Sequence, residues 1–208
     1  MKSLTNLNHV KSKHWLTATA LVSSLLLGGC AAKPEPMKTY ALIQTMPENG
    51  QTAQSAQLGV KPIISVDSVE MAGYLTGNGI VMKTSPTQYI QAQNNIWIDD
   101  ISAQVESKLV DDIQVQQSKY DVLPTQMSLG MPQAPRYQVA VYVSDFYGHY
   151  DGYALLAGDW QVKDSQGNVV KMKPYMIKTP LAADGYDALV QAMSQSVDTL
   201  AKQISAGI

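Results

Sequence analysis

The chain predicts an α+β domain, an antiparallel or mixed sheet with two amphipathic helices packed on one face. Three observations carry this. Ile98, Ile101, Val105, Leu109 and Ile113 step by three, four, four and four, which is one apolar stripe on a helix. Tyr186, Leu189, Val190, Met193, Val197, Leu200 and Ile204 form a second such face at the end of the chain. Between them, Tyr137, Val139, Val141 and Val143 alternate with Gln138, Ala140, Tyr142 and Ser144, and Leu156, Gly158, Trp160 and Val162 alternate in the same way, as half-buried strands do.

The elements follow in order. Tyr40 to Thr45 is the first strand. Residues 47 to 57, "PENGQTAQSAQ", have no apolar period and read as a loop. Leu58 to Val69 is β-branched and reads as a strand, with Pro62 marking an unpaired start or an edge. Residues 71 to 97 are a loop followed by a hairpin, with arms Ile80 to Thr84 and Gln88 to Gln91 and Ser85-Pro86 in the turn. Asp99 and Asp100 stand where a capping acid belongs before the first helix, and also suit its dipole. Residues 124 to 136, with three prolines and no period, are an exposed loop. The meander after it turns at "YGHYDG" and at "DSQGN", and Val169 to Ile177 is its third strand. Pro174 makes that strand an edge or a bulged one. Asp184 caps the last helix.

The start of the chain is built differently. It carries Lys2, Lys11 and Lys13 and no acid before Glu35, and Trp15 to Leu27 is an apolar run of about 13 residues. A helix needs roughly 18 or more to cross a bilayer, so the run reads as a secretory signal. It ends in Leu27-Gly28-Gly29-Cys30, which resembles the bacterial lipobox. Gly28 and Gly29 let a membrane-embedded peptidase approach the backbone, and the Cys30 thiol accepts a diacylglyceryl group. Its freed amine can take a third chain, making Cys30 an N-palmitoyl, S-diacylglyceryl cysteine after cleavage behind Gly29. One acyl chain binds a membrane marginally, and two or more hold it. Cys30 is the sole cysteine, and a free thiol in an oxidising compartment would be odd. The organisation is therefore a signal peptide over 1–29, a lipidated Pro-rich tether over 30–38 and a domain over 39–208. Ala31 in place of an aspartate points to the outer membrane, facing the periplasm.

Composition removes several classes of function. Without residues 1–29 the basic count falls from 15 to 12 against 17 acids, a net charge of about −5, so a nucleic-acid role has no electrostatic footprint. The mature chain keeps one histidine, His149, and no HExxH or CxxC spacing, which argues against zinc or triad chemistry. "GNGIVMKT" (77 to 84) approaches a phosphate-binding loop, but Met82 stands where the second glycine is needed, and the setting is loop-to-strand. Asp99-Asp100 and Asp111-Asp112 are neighbours about 100° apart on a helix and read as a cap and a solvated face. Trp97 and Trp160 read as core. Met71, Tyr74 and Leu75 fall in a glycine-flanked loop, where apolar side chains can mark a partner interface.

"GYLTGNGIVMKTSPTQYIQAQNNIW", "DFYGHYDGYALLAGDW" and "DGYDALVQAM", in that order behind a lipobox, resemble the PqiC (YmbA) family of ABC-type transport auxiliary lipoproteins, from about Tyr40 to Ile204. The resemblance implies a non-enzymatic role without cofactors. It implies an outer-membrane subunit of a paraquat-inducible MCE-type system that moves lipids or other apolar molecules between membranes and preserves envelope integrity. The implied partners are a periplasm-spanning MCE-domain tunnel protein and, through it, an integral inner-membrane protein. A homo-oligomeric ring fits the same resemblance. The residues leave two other readings open: a periplasmic module that binds a lipid or glycan on its own, with Trp160 or Tyr74 in a pocket, and an envelope hydrolase with His149 as its one candidate.

Overall fold

The computed structural model describes residues 36–44, 61–131 and 134–208. The signal sequence, Cys30, most of the tether and the loop at 47–57 lie outside the described residues. Nine strands form one mixed sheet: β1 (Lys38–Tyr40), β2 (Ile63–Val66), β3 (Glu70–Met71), β4 (Gly79–Ser85), β5 (Gln88–Trp97), β6 (Asp121–Pro124), β7 (Tyr137–His149), β8 (Tyr153–Asp164) and β9 (Val169–Pro180). The helices are α1 (Ile101–Gln116), the one-turn α2 (Thr125–Ser128) and α3 (Tyr186–Ser205).

β7 is the spine. One of its edges pairs antiparallel with β8 from Tyr137↔Asp164 to His149↔Tyr153. The other edge is shared by three short parallel strands in succession. β2 lies beside Tyr137–Val139, β3 beside Tyr142–Val143 and β4 beside Gly148–His149. β6 extends the sheet beyond β2, and β5 and then β1 extend it beyond β4. Among the described residues β9 pairs with β8 alone. Pro174 and the lysines at 171, 173 and 178 blunt this edge against further pairing.

The turns sort to two ends. The β4–β5 turn, the β7–β8 turn at Tyr150–Gly152 and the β9–α3 connection lie at one end, because Lys83 stands beside His149 and Tyr153 opposite Pro180. We call this the hairpin end. The β8–β9 turn lies at the other.

α1 and α3 pack on each other and on one face of the sheet. Ile101, Val105, Leu109 and Ile113 of α1, and Leu189, Met193, Val197, Leu200 and Ile204 of α3, are buried against Val139, Val141, Val143, Leu156 and Trp160. The Asp100 side chain caps α1 by accepting from the Ala103 amide at 3.1 Å, and also from the Ser102 hydroxyl. Gln104 of α1 accepts from the Leu42 amide at 2.9 Å, and Ser194 of α3 accepts from Ile43 at 2.9 Å. Those two bonds fasten the entering chain to both helices. Lys108, 1 % exposed, sits between the helices with Asp112 at 3.2 Å and Asp198 of α3.

Several elements differ from the expectation. The first strand is Lys38–Tyr40, because the chain after it bonds to helix side chains rather than to a strand. Within the described residues, strand pairing near Pro62 covers only Ile63–Val66. The arm after the β4–β5 turn runs to Trp97. Ile98 precedes the helix and is exposed, since Asp100 starts α1 two residues later. Residues 121–128 contain β6 and α2, held by Gln114, which accepts from Val122 and donates to Tyr120. Asp112 is buried by its pairing with Lys108 instead of lying on a solvated face. α3 has Gly185, not Asp184, at its N-cap and no side-chain cap.

Two outcomes follow. A bulge between Val143 and Asp145 of β7 brings Gly158 of β8 so close that a Cβ there would overlap the Tyr142 carbonyl oxygen. Gly158→Ala is expected to cost about 2 kcal/mol or more, read as a lowered midpoint in urea. Hydrogen bonds from Ser102 and Ala103 hold the Asp100 carboxyl below its ordinary range. Its stabilisation is present above the unfolded value of 3.8 and is lost as pH falls through the lowered folded value. Asp100→Ala is expected to cost about 1 kcal/mol at neutral pH. That difference from the unsubstituted protein should shrink in acid.

Candidate functional site

An aromatic strip crosses the sheet face turned away from the helices, towards the hairpin end. Tyr74 comes from a 3-10 turn, Gly73–Leu75, and Tyr89 from the start of β5. Tyr147 and His149 come from the end of β7 and Tyr153 from the start of β8. β-pairing brings them together: Tyr89 is opposite Lys83, which lies beside His149, and His149 is opposite Tyr153. Ring centroids are 5.6 Å apart for Tyr74–Tyr89, 5.3 Å for Tyr89–Tyr147 in an edge-on arrangement, and 4.3 Å for His149–Tyr153 in a stack. The Tyr150 ring centre lies 4.2 Å from that of His149. The tilted Tyr74–Tyr89 and edge-on Tyr89–Tyr147 arrangements are those that aromatic quadrupoles favour.

Charges are woven into the strip. Lys83 Nζ lies 5.1 Å from the Tyr89 ring centre and Lys178 Nζ 5.1 Å from that of Tyr153, both within cation–π range. The Tyr74 hydroxyl donates to the Ser144 carbonyl at 3.0 Å and to Asp145 Oδ1 at 3.2 Å, and Ser144 Oγ donates to Asp145 Oδ2 at 2.7 Å. Gln91 donates to the Tyr74 carbonyl at 2.9 Å. The turn is thereby fixed on the sheet, and the ring of Tyr74 is 40 % exposed. Burial, aided by the Asp145 carboxylate, raises the Tyr74 hydroxyl above the ordinary tyrosine range, and burial raises Tyr147 as well. Both stay protonated at neutral pH, as donors and flat apolar surfaces rather than nucleophiles. The Asp151 amide lies 3.2 Å from His149 Nδ1, and Asp151 Oδ2 lies 3.4 Å from the same nitrogen.

Of the three loop residues singled out in the sequence, Tyr74 is at the surface. Leu75 is 3 % exposed and belongs to the core, and Met71 packs against the core from partial burial. Leu75 is therefore not available to a partner: the 3-10 turn points it inward to anchor the loop. Trp97 and Trp160 are buried, Trp97 stacking on Phe146. Lys83 lies on a strand, over Tyr89, and not at the head of a helix. Sequence reasoning missed Tyr89, Tyr153 and Lys178, since only strand register brings them beside Tyr74 and His149. The repeated tyrosines in "YGHYDGY" were the one local signal. Among the described residues no three His, Cys, Asp or Glu side chains come together, and no helix is long and apolar enough to cross a membrane.

Comparison with known proteins matches residues 40–205 to the family model described as ABC-type transport auxiliary lipoprotein component. The chain is 29 % identical over 196 residues to the intermembrane transport lipoprotein PqiC of Escherichia coli K12, covering 92 % of this chain and 97 % of the relative. The Shigella flexneri protein of the same name matches equally. A crystal structure of an uncharacterised protein superposes with TM-score 0.70 and 25 % identity, covering 83 % of this chain and 99 % of that one. A Xanthomonas campestris protein superposes with TM-score 0.58 and 14 % identity, over 80 % and 92 %, a likeness of fold.

Because Tyr74 holds its proton more tightly folded than unfolded, its contribution is constant below its unfolded value of 10.0 and falls as pH rises above it. A difference absorbance titration of the unsubstituted protein against Tyr74→Phe should place the missing tyrosine later than the exposed ones. Losing the hydroxyl bonds should cost about 1 kcal/mol at neutral pH.

Proposed function

The chain belongs to the family of ABC-type transport auxiliary lipoproteins, and on that premise we propose that it is the lipid-anchored outer-membrane subunit that docks a periplasm-spanning MCE tunnel. The single observation behind this reading is the extent of the match. It runs over essentially the whole domain and nearly the whole length of PqiC, an intermembrane transport lipoprotein. The coarse function, an auxiliary lipoprotein of intermembrane transport, follows from that relationship.

Physical reasoning supports the finer one. A lipid leaving a bilayer exposes its chains at ~0.8 kcal/mol per CH₂, so a protein path between two membranes must make contact with both. A folded domain held by Cys30 at one membrane can serve as the far dock of such a path. Acylation of Cys30 supplies the anchor, and Ala31 favours the outer membrane. The role is non-enzymatic: the tyrosine strip offers protonated hydroxyls and apolar rings, which bind rather than react. Tyr74 and Tyr89 present its exposed part to a tunnel protein. A ring of several copies would match the symmetry of a tubular partner, and an integral inner-membrane protein completes the chain of contacts.

The test is co-purification. The tagged full-length protein, expressed from its own promoter and extracted in mild detergent, should bring down an MCE-domain protein identified by mass spectrometry. Cys30→Ala should leave the domain folded but abolish its recovery from membranes. Tyr89→Ala combined with Tyr74→Ala should keep the anchor and lower recovery of the partner several-fold. Recovery of no MCE protein with any form would overturn the docking role.

A further inference from the structure

We propose that the hairpin end of the domain rests on the bilayer that carries the anchor, with an apolar cleft there facing the lipid. The inference depends on Cys30 being lipidated, as proposed above, and goes beyond it by assigning the surface that meets the membrane.

Two independent features give the direction from which the chain arrives. Tyr40 of β1 packs beside Tyr186 at the start of α3, with ring centres 6.1 Å apart. Three residues later, Ile43 bonds to Ser194, eight residues further along α3. β1 therefore runs with α3, away from the hairpin end. The register of β1 on β5 agrees, since Lys38 is opposite Asn95 and Tyr40 opposite Trp97, so β1 follows β5 away from its turn. Pro36 thus lies on the hairpin-end side of Tyr40. From Cys30 to Pro36 there are six steps (36 − 30), at most about 21 Å of fully extended chain. A lipid on Cys30 keeps Pro36 within that distance of the membrane surface, and the hairpin end is the end of the sheet that lies beyond Pro36 in that direction.

The end is suited to that position. A cleft of about 260 Å³ opens between β4, the β7–β8 turn and the head of α3, with Met82, Leu181, Tyr186 and Leu189 in its lining and Tyr150 at its edge. Ile90, opposite Met82 across the hairpin, is 50 % exposed, and Tyr150 is 48 % exposed. Tyrosine with an apolar neighbour is the composition that settles at headgroup depth. The surrounding charges, Lys83 and Lys178 against Asp151, Asp184 and Asp187, show no cationic excess. The surface therefore fits lipid through apolar contact rather than by attraction to anionic headgroups, and its seating should barely respond to salt.

The test uses the full lipidated protein, reconstituted into vesicles of phosphatidylethanolamine with a minor share of phosphatidylglycerol. An environment-sensitive fluorophore is placed on Ile90→Cys, on Tyr150→Cys as a second reporter, and on Met172→Cys as a control. Met172 lies eight residues along β9 from Pro180, towards the opposite end. Lipids carrying a quencher near the top of the acyl chain should remove most of the signal at 90 and 150 and leave 172 nearly unchanged, with little difference between low and high salt. Equal, weak quenching at all three sites in protein that floats with the vesicles would overturn the orientation while the anchor stands. Stronger quenching at 172 would do the same. A blue-shifted but unquenched label at 90 would mean that protein covers the hairpin end, which also refutes the proposal. Protein that fails to float would remove the anchor, and the proposal with it.

Discussion

The fold depends on one long strand being paired along both edges. β7 carries 13 residues, and each backbone donor and acceptor on it needs a partner once helices cover the sheet. On one side β8 supplies them in a single antiparallel ladder with a bulge after Val143. On the other side no single strand is long enough, and β2, β3 and β4 share the work in sequence. This division sets the architecture. Each short strand must exit before the next begins, so the loop between β3 and β4 is brought out over the sheet face, and it carries Tyr74 with it. The candidate site is thus a by-product of how β7 is satisfied. The Ala72 amide still bonds to the Val143 carbonyl at 2.9 Å, just before the chain turns outward.

The second constraint is between the helices. Lys108 is buried among apolar neighbours, and its ammonium is matched by Asp112 on its own helix and Asp198 on α3. A buried ion pair of this kind adds little net stability over a well-packed apolar set, because desolvation offsets the attraction. It does restrict how α1 can slide on α3, since a shift of one turn would leave a buried charge unmatched. Gln104 and Ser194 then use the fixed pair of helices as a clamp for residues 42 and 43. The direction in which the tether enters is set by the same contacts that hold the helices in register.

Much of the fold was legible because its signals are local. The stripes of α1 and α3 and the alternation of β7 and β8 are properties of short windows, and Pro174 correctly marked the edge strand. The misreadings have a common cause. Ile98 continues the stripe of α1 but lies outside the helix, because the Asp100 cap overrides the pattern. Asp112 looks like a surface acid until Lys108 is placed beside it, and no window shows that Asp198, 86 residues further along the chain (198 − 112) in another helix, completes the set. The site was legible only in part. Tyr74 could be singled out from its glycine-flanked loop, yet Leu75, its neighbour, points inward, since a 3-10 turn sends adjacent side chains in different directions. Tyr89, Tyr153 and Lys178 join the strip through strand register, which links residues far apart in sequence.

The exposed rings of Tyr74, Tyr89 and Tyr142 and the side chains of Met172 and Met176 lie on the sheet face opposite the helices. The strands run from the hairpin end to the far end, so a domain seated on a membrane by its hairpin end would hold this face sideways to the bilayer. A partner reaching across the periplasm could then meet it laterally without displacing the lipid contact. The proposed membrane seat and the proposed partner face use different side chains, Ile90 and Tyr150 for one and Tyr74 and Tyr89 for the other. Tyr89 and Ile90 are adjacent on β5, and strand alternation turns them to opposite faces. One strand would then separate the two roles, and the stiffness of the β4–β5 hairpin would couple the depth of the seat to the position of the docking face.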